Sequence, residues 1–176
     1  EWPTPPETDR DVVVSGDADV PNGYFESHTR LRIVADIDQL VIDADDVDVT
    51  LAPGVHVHSV LVTRGHRRLR FTGGSYGSIS LAAPHLIPPP PEWREEGMIE
   101  DVLFDSVRVT GAPAMAIRGR RIAIVRSHLS SDESALYVGD TAPVHSTDII
   151  VADSVLESAG GAATLALDHV QRGVVV

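Results

Sequence analysis

The sequence predicts an all-β solenoid, a chain that coils and stacks on itself. Three observations predict it. Short β-branched runs bounded by Gly, Asp, Ser or Pro follow one another, and almost nothing repeats at a helical period. The text also rhymes with itself. Phe104, Val109 and Gly119 return twenty residues later as Ile124, Leu129 and Gly139, and the first two return again as Val151 and Leu156. Between the runs there is no Asn-Gly or Asp-Gly pair of the kind that closes two-residue hairpins, which an antiparallel sandwich would use.

Residues 1–10 carry three prolines and three acids, so they read as an extended tail without donors for a sheet. A Pro/Thr-rich stretch of this kind often follows an export signal, which points to a secreted protein. Residues 11–30 are expected to cap the stack, because an open first coil exposes unpaired strand edges. The solenoid proper spans 31–176. Its first strands are Leu31–Val34, Leu40–Asp43, Val47–Leu51, Val55–Val62, Leu69–Phe71 and Ile79–Leu81. Phe71 and Tyr76 already show the five-residue gap that separates Phe104 from Val109.

An excursion at 83–97 contains four consecutive prolines and must leave the coil, because proline cannot donate to a ladder. Its end, Pro91–Met98, offers one polar helical turn at most. Three rhyming units follow: Val102–Val109, Ile122–Leu129 and Ile149–Leu156. Each closes with a further strand, at Met115–Arg118, Leu136–Val138 and Thr164–Leu167. About six rungs at ~4.8 Å give a rod near 30 Å. The chain ends at Val174–Val176 in mid-strand without a polar cap, which reads as a shortened chain or as a face for end-to-end association.

Composition narrows the function. The 176 residues carry a net charge of −12, and all 14 basic residues are arginine. Absence of cysteine excludes disulfide scaffolds, thiolate zinc sites and cysteine nucleophiles. No apolar run approaches the ~20 residues of a membrane span. A pI near 4.9 opposes broad binding to a phosphate backbone, which argues against nucleic acid.

The stretch Asp38–Pro53, then Arg67–Gly74, then the three rhyming units resemble right-handed parallel β-helix proteins of the pectate-lyase-like superfamily. The resemblance covers about residues 31–176 and lies in the rung pattern. Such helices often stack asparagines at their turns, whereas this chain has one asparagine, Asn22. Ser127 and Ser154 fall where such a ladder would run.

Four groups bear on chemistry. Asp43, Asp45 and Asp46 lie in an acid run that could supply oxygens to calcium, although the run lacks a calcium-loop pattern; as solvated turn acids they would guard an edge. Arg68 and Arg70 alternate with Leu69 and Phe71. Their guanidiniums suit the carboxylates or sulfates of a glycan, or else neutralise the acid run one coil away. The excursion carries Trp93, a candidate wall for a sugar groove. The fourth group includes Arg118, Arg120, His128 and Asp140. The repeat sets Arg118 near Val138 and Arg108 near His128.

The resemblance implies a lyase that takes a proton beside a uronate carboxyl. Arg118, Arg120 or His128 would be the base and Asp140 an orienting acid. An arginine base demands severe perturbation of a pKa above about 12. β-Helix polygalacturonases carry a four-part motif, of which this chain keeps Asp45-Asp46 and Gly65-His66 and lacks the rest. Two functions follow as expectations: an exported scaffold or binding module for a glycan or protein partner, and a lyase or hydrolase of an acidic polysaccharide.

Overall fold

Alternation decides which side chains go inward. In the computed structural model Val47 and Val49 are buried while Asp48 and Thr50 face outward, as a pleated strand requires. The structure describes residues 1–63, 65–81, 98–139, 146–161, 163–168 and 170–175. Among these the protein is all-β, and every strand pairing is parallel.

The first sheet has eight strands in chain order: β1 (Arg10–Val14), β2 (Thr29–Ile33), β4 (Val47–Leu51), β6 (Arg67–Thr72), β8 (Ile99–Asp105), β11 (Gly119–Val125), β14 (Thr147–Ala152) and β17 (Gly173–Val175). The second sheet holds the intervening strands. Its trunk is β3 (Ile37–Ile42), β5 (His56–Val62) and β7 (Ser75–Leu81). Beyond β7 it forks. One branch is β9 (Arg108–Val109), β12 (His128–Ser131) and β15 (Val155–Ser158), and the other is β10 (Met115–Ile117), β13 (Leu136–Val138) and β16 (Leu165–Leu167). Ser75 and Tyr76 pair with β9 while Ile79 and Ser80 pair with β10, so the long β7 serves both. Gly111 and Pro113 interrupt the chain between the two branches, where a donor-free proline cannot continue a ladder.

Parallel strands need long crossovers, and here each crossover passes through the other sheet. The register reproduces the rhyme of the sequence. Phe71, Phe104, Ile124 and Val151 stand in one row. Tyr76, Val109, Leu129 and Leu156 stand in another. Both rows feed one core, in which Phe71 stacks on Phe104 with centroids 4.9 Å apart. The Tyr76 hydroxyl is buried there without a hydrogen-bond partner, and burial pushes its pKa up.

The expected serine ladder is present: Val107 N donates to Ser127 Oγ at 3.2 Å and Ser127 N to Ser154 Oγ at 3.1 Å. Close stacking also selects glycine. A Cβ at Gly77 would lie 2.2 Å from the His58 carbonyl oxygen, and one at Gly111 would lie 2.1 Å from that of Gly77.

The front of the chain differs from expectation. Residues 11–30 supply strands: β1 pairs with β2 in register, and Tyr24 bridges to Ile42. The first sheet has eight strands where the repeats marked six, because the front segment adds β1 and residues 173–175 add β17. The proline-rich tail is extended but anchored to the body, through Thr4 and Glu7. The 83–97 excursion lies outside the described residues, as does all of the expected Pro91–Met98 turn except Met98. No helix among the described residues is long and apolar enough to cross a membrane.

Candidate functional site

Before or at the start of successive first-sheet strands stand like-charged doublets of alternating sign: Asp45-Asp46, Arg67-Arg68, Glu100-Asp101 and Arg120-Arg121. Thr147-Asp148 and Gln171-Arg172 continue the alternation in their second members. His28, Asp46, Arg68, Asp101, Arg121 and Asp148 all adopt left-handed backbone, with φ between 51° and 60°. Counting back from buried Leu69, strict alternation would turn Arg67 inward. A left-handed residue resets the count, so both members of each doublet stay outside. The ladder shows the same skip: Arg67 pairs with Glu100, and the next pair is Leu69 with Val102.

The second members form an ion-pair column. Arg68 grips Asp46 with a fork, Nε donating to Oδ1 at 2.6 Å and Nη2 to Oδ2 at 2.5 Å. Arg121 repeats the fork on Asp101 at 2.7 and 2.9 Å and also donates to Glu100 at 2.9 Å. Arg172 Nη2 donates to Asp148 Oδ2 at 2.7 Å. The three aspartate side chains are only 1%, 8% and 9% exposed. Burial pushes the Asp46 and Asp101 carboxyls up, but hydrogen bonds from the arginine forks and from tail amides outweigh it and hold both below the usual carboxylate range. Hydrogen bonding to the aspartates pushes Arg68 and Arg121 up in turn.

The first members are looser. Arg67 Nε lies 3.6 Å from Asp45 and Arg120 Nη1 lies 3.6 Å from Glu100. Beside Asp45 the column meets a knot around His66. Its Nε2 lies 2.6 Å from Asp43 Oδ1 and 3.1 Å from Thr63 Oγ1, and its Nδ1 lies 3.1 Å from Asp45 Oδ1. Thr63 Oγ1 donates to Asp43 Oδ1 at 2.6 Å. A hydroxyl, an imidazole and two carboxylates thus meet where two adjacent turns stack, the one before β4 and the one before β6, a set able to move a proton.

The three aspartates proposed as metal ligands turn to different partners: Asp43 and Asp45 to His66, Asp46 to Arg68. No group of three His, Asp or Glu side chains among the described residues is placed to hold a metal ion. The alternative reading of Arg68, neutralisation of the acid run from the next strand, is what the geometry displays. Arg70 donates Nε to Thr72 Oγ1 at 3.1 Å and lies in register with Asp48.

Arg108 and His128 stand side by side as the repeat predicts, and His128 Nε2 lies 2.9 Å from Glu157 Oε2. Arg118 is buried, 6% exposed, and sits one residue beyond its predicted place, since it is Ile117 that pairs with Val138. Arg120 is in the first sheet and His128 in the second, each facing a glutamate on a neighbouring strand. Trp93, Asp140 and Val176 lie outside the described residues.

Reasoning from single segments missed the column, although its signal was present. The doublets are visible once the strand starts are aligned. Compared with protein-family models, curated proteins and solved structures, the chain matches none of them.

Proposed function

We propose that the chain is a right-handed parallel β-helix of the pectate-lyase-like kind that serves as an exported binding scaffold, engaging an acidic glycan on the outer face of its first sheet. Passage of each parallel crossover through a second sheet supports the coil, and such crossovers are right-handed in nearly all sheets. The observation that carries the binding reading is the commitment of the arginines. Arg68, Arg120, Arg121 and Arg126 are paired with carboxylates, and Arg68 and Arg121 are pushed still further from acting as bases. Arg32 and Arg70 instead sit among Thr50 and Thr72 on the outward face, Arg32 in line with the threonines and Arg70 beside Asp48, with Arg30, paired to Asp11, on the other side of Asp48. Forked cations beside hydroxyls suit carboxylated or sulfated sugars.

Calorimetric titration with a panel of uronate and sulfated polysaccharides tests this. One polymer should bind, and Arg32→Ala with Arg70→Ala should weaken it about tenfold or more, as loss of charged hydrogen bonds does. No binding across the panel rejects the glycan and leaves a protein partner to be sought by the same face.

The His66 knot favours a second reading, cleavage of an acidic polysaccharide with His66 as the proton acceptor. Ultraviolet absorbance of unsaturated uronides would rise with one polymer and stay flat for His66→Ala. A flat trace for the parent chain removes the lyase.

A further inference from the structure

The carboxylates of the ion-pair column do more than neutralise arginines. Thr4 N donates to Asp101 Oδ1 at 3.0 Å and Glu7 N to Asp46 Oδ1 at 2.9 Å, while the nitrogen of Glu1 lies 3.3 Å from Asp148 Oδ1. Each aspartate offers Oδ1 to the tail and Oδ2 to an arginine of the next strand, and at Asp46 and Asp101 the same Oδ1 also accepts from that arginine's Nε. The contacts on the tail come every third residue, and those on the column every second strand.

These two spacings agree. Three residues of polyproline II advance about 9.3 Å. Two parallel strands advance about 9.6 Å. The tail presents three edges accordingly: residues 1, 4 and 7 carry the donors, Pro3 is buried and Pro6 half-buried against the body, and Trp2 and Pro5 face solvent. Of the four positions between these donors, three (3, 5 and 6) are prolines. His28 Nδ1 fixes the near end by donating to the Glu7 carbonyl at 2.9 Å, and Arg30 donates to Thr8 Oγ1 at 3.2 Å.

We propose that the Asp46–Asp101–Asp148 column is a binding rail for an extended proline-rich peptide with a free amide at every third residue, and that the arm of a second copy of this chain, residues 1–8, is its exchange partner. The arm carries that pattern and leaves the body at β1, the edge strand of the first sheet, so it can be handed across without breaking a strand pairing. This inference shares only Arg30 with the glycan reading, and the carboxylates it rests on form a different row of the same sheet.

Complementation between two full-length variants tests it. Thr4→Pro with Glu7→Pro deletes both donor amides and keeps the extended backbone, leaving an intact rail beneath a released arm. Asp46→Asn with Asp101→Asn keeps an arm intact but spoils the rail. The carboxylate's two oxygens together accept the tail amide and both prongs of the arginine fork, whereas an amide keeps one oxygen and turns donor hydrogens toward these donors, and asparagine tolerates the left-handed backbone.

A synthetic peptide of residues 1–9, labelled at its C-terminus, should bind the proline variant saturably. It should bind the asparagine variant at least tenfold more weakly, and a peptide with proline at 4 and 7 should not bind the rail. Mixed together, the two proteins should form a one-to-one heterodimer by sedimentation, with each alone monomeric. Absence of saturable peptide binding at millimolar concentration overturns the rail. Equal binding of the two peptides overturns the amide register. Peptide binding without a heterodimer overturns the second copy as the exchange partner. Circular dichroism of both variants guards against misreading an unfolded protein as a weak binder.

Discussion

Two neighbouring rows on the first sheet alternate in charge over the same strands and are built differently. The corner column runs His28, Asp46, Arg68, Asp101, Arg121, Asp148. The next row runs Asp11, Arg30, Asp48, Arg70 and then turns apolar at Leu103, Ala123 and Ile150. In the corner column the left-handed backbone accompanies forked pairs on buried carboxylates. In the flat row Arg30 meets Asp11 at 2.8 Å in the open, and Asp48 Oδ1 is buried with no hydrogen-bond partner. Burial accordingly pushes Asp48 up against the pull of Arg70 and Arg30, the reverse of Asp46. Alternating sign at strand spacing is therefore insufficient. What decides the sign of each carboxyl's shift is whether donors reach its oxygens.

The sharpest way to break the comparison is Arg121→Ala. It strands Asp101, 8% exposed, without its forked partner, and should cost about 3 kcal/mol in urea denaturation. Arg30→Ala removes a surface pair and should cost less than about 0.5 kcal/mol in the same assay.

Acid should separate the rows next. Asp46 and Asp101 have folded pKa values below their ordinary 3.8, so their contribution is complete above that value and disappears as pH falls through the folded values. Urea midpoints followed from pH 7 to 2.5 should fall at the acid end, and should fall less for the double asparagine variant. Asp48 has the opposite sign: its ionised form is penalised by folding, so the penalty is present at neutral pH and fades as the carboxyl protonates. Asp48→Asn should be neutral or stabilising by up to about 1 kcal/mol at pH 7, and the difference from the parent should shrink in acid. Smallest of all, a double-mutant cycle on Asp11 and Arg30 should give a coupling below about 0.5 kcal/mol.

Much of this was legible beforehand, and for a physical reason. Buried rows such as Phe71–Phe104–Ile124–Val151 repeat because each unit shares one core, so hydrophobic matching reports register directly. Ser127 and Ser154 were legible in the same way. Arg10–Val14 was hidden because an edge strand contributes only Val14 to the buried core, and its Asp11 and Arg10 resemble a linker. The column was hidden for another reason. Its meaning lies between neighbouring strands some twenty residues apart in the chain, and no single doublet discloses what faces it. The acid run was likewise ambiguous until Arg67 and Arg68 were set against it.

The doublets carry a consequence for how such a chain can lengthen. Their pattern repeats only after two first-sheet strands. Removing one unit of 27 residues, for example 119–145 with its Arg120-Arg121, would set Asp101 against Asp148, acid against acid. Removing two would restore opposite neighbours. Growth and loss by internal duplication are thus subject to a parity rule, in which even steps preserve the electrostatics and odd steps abolish them.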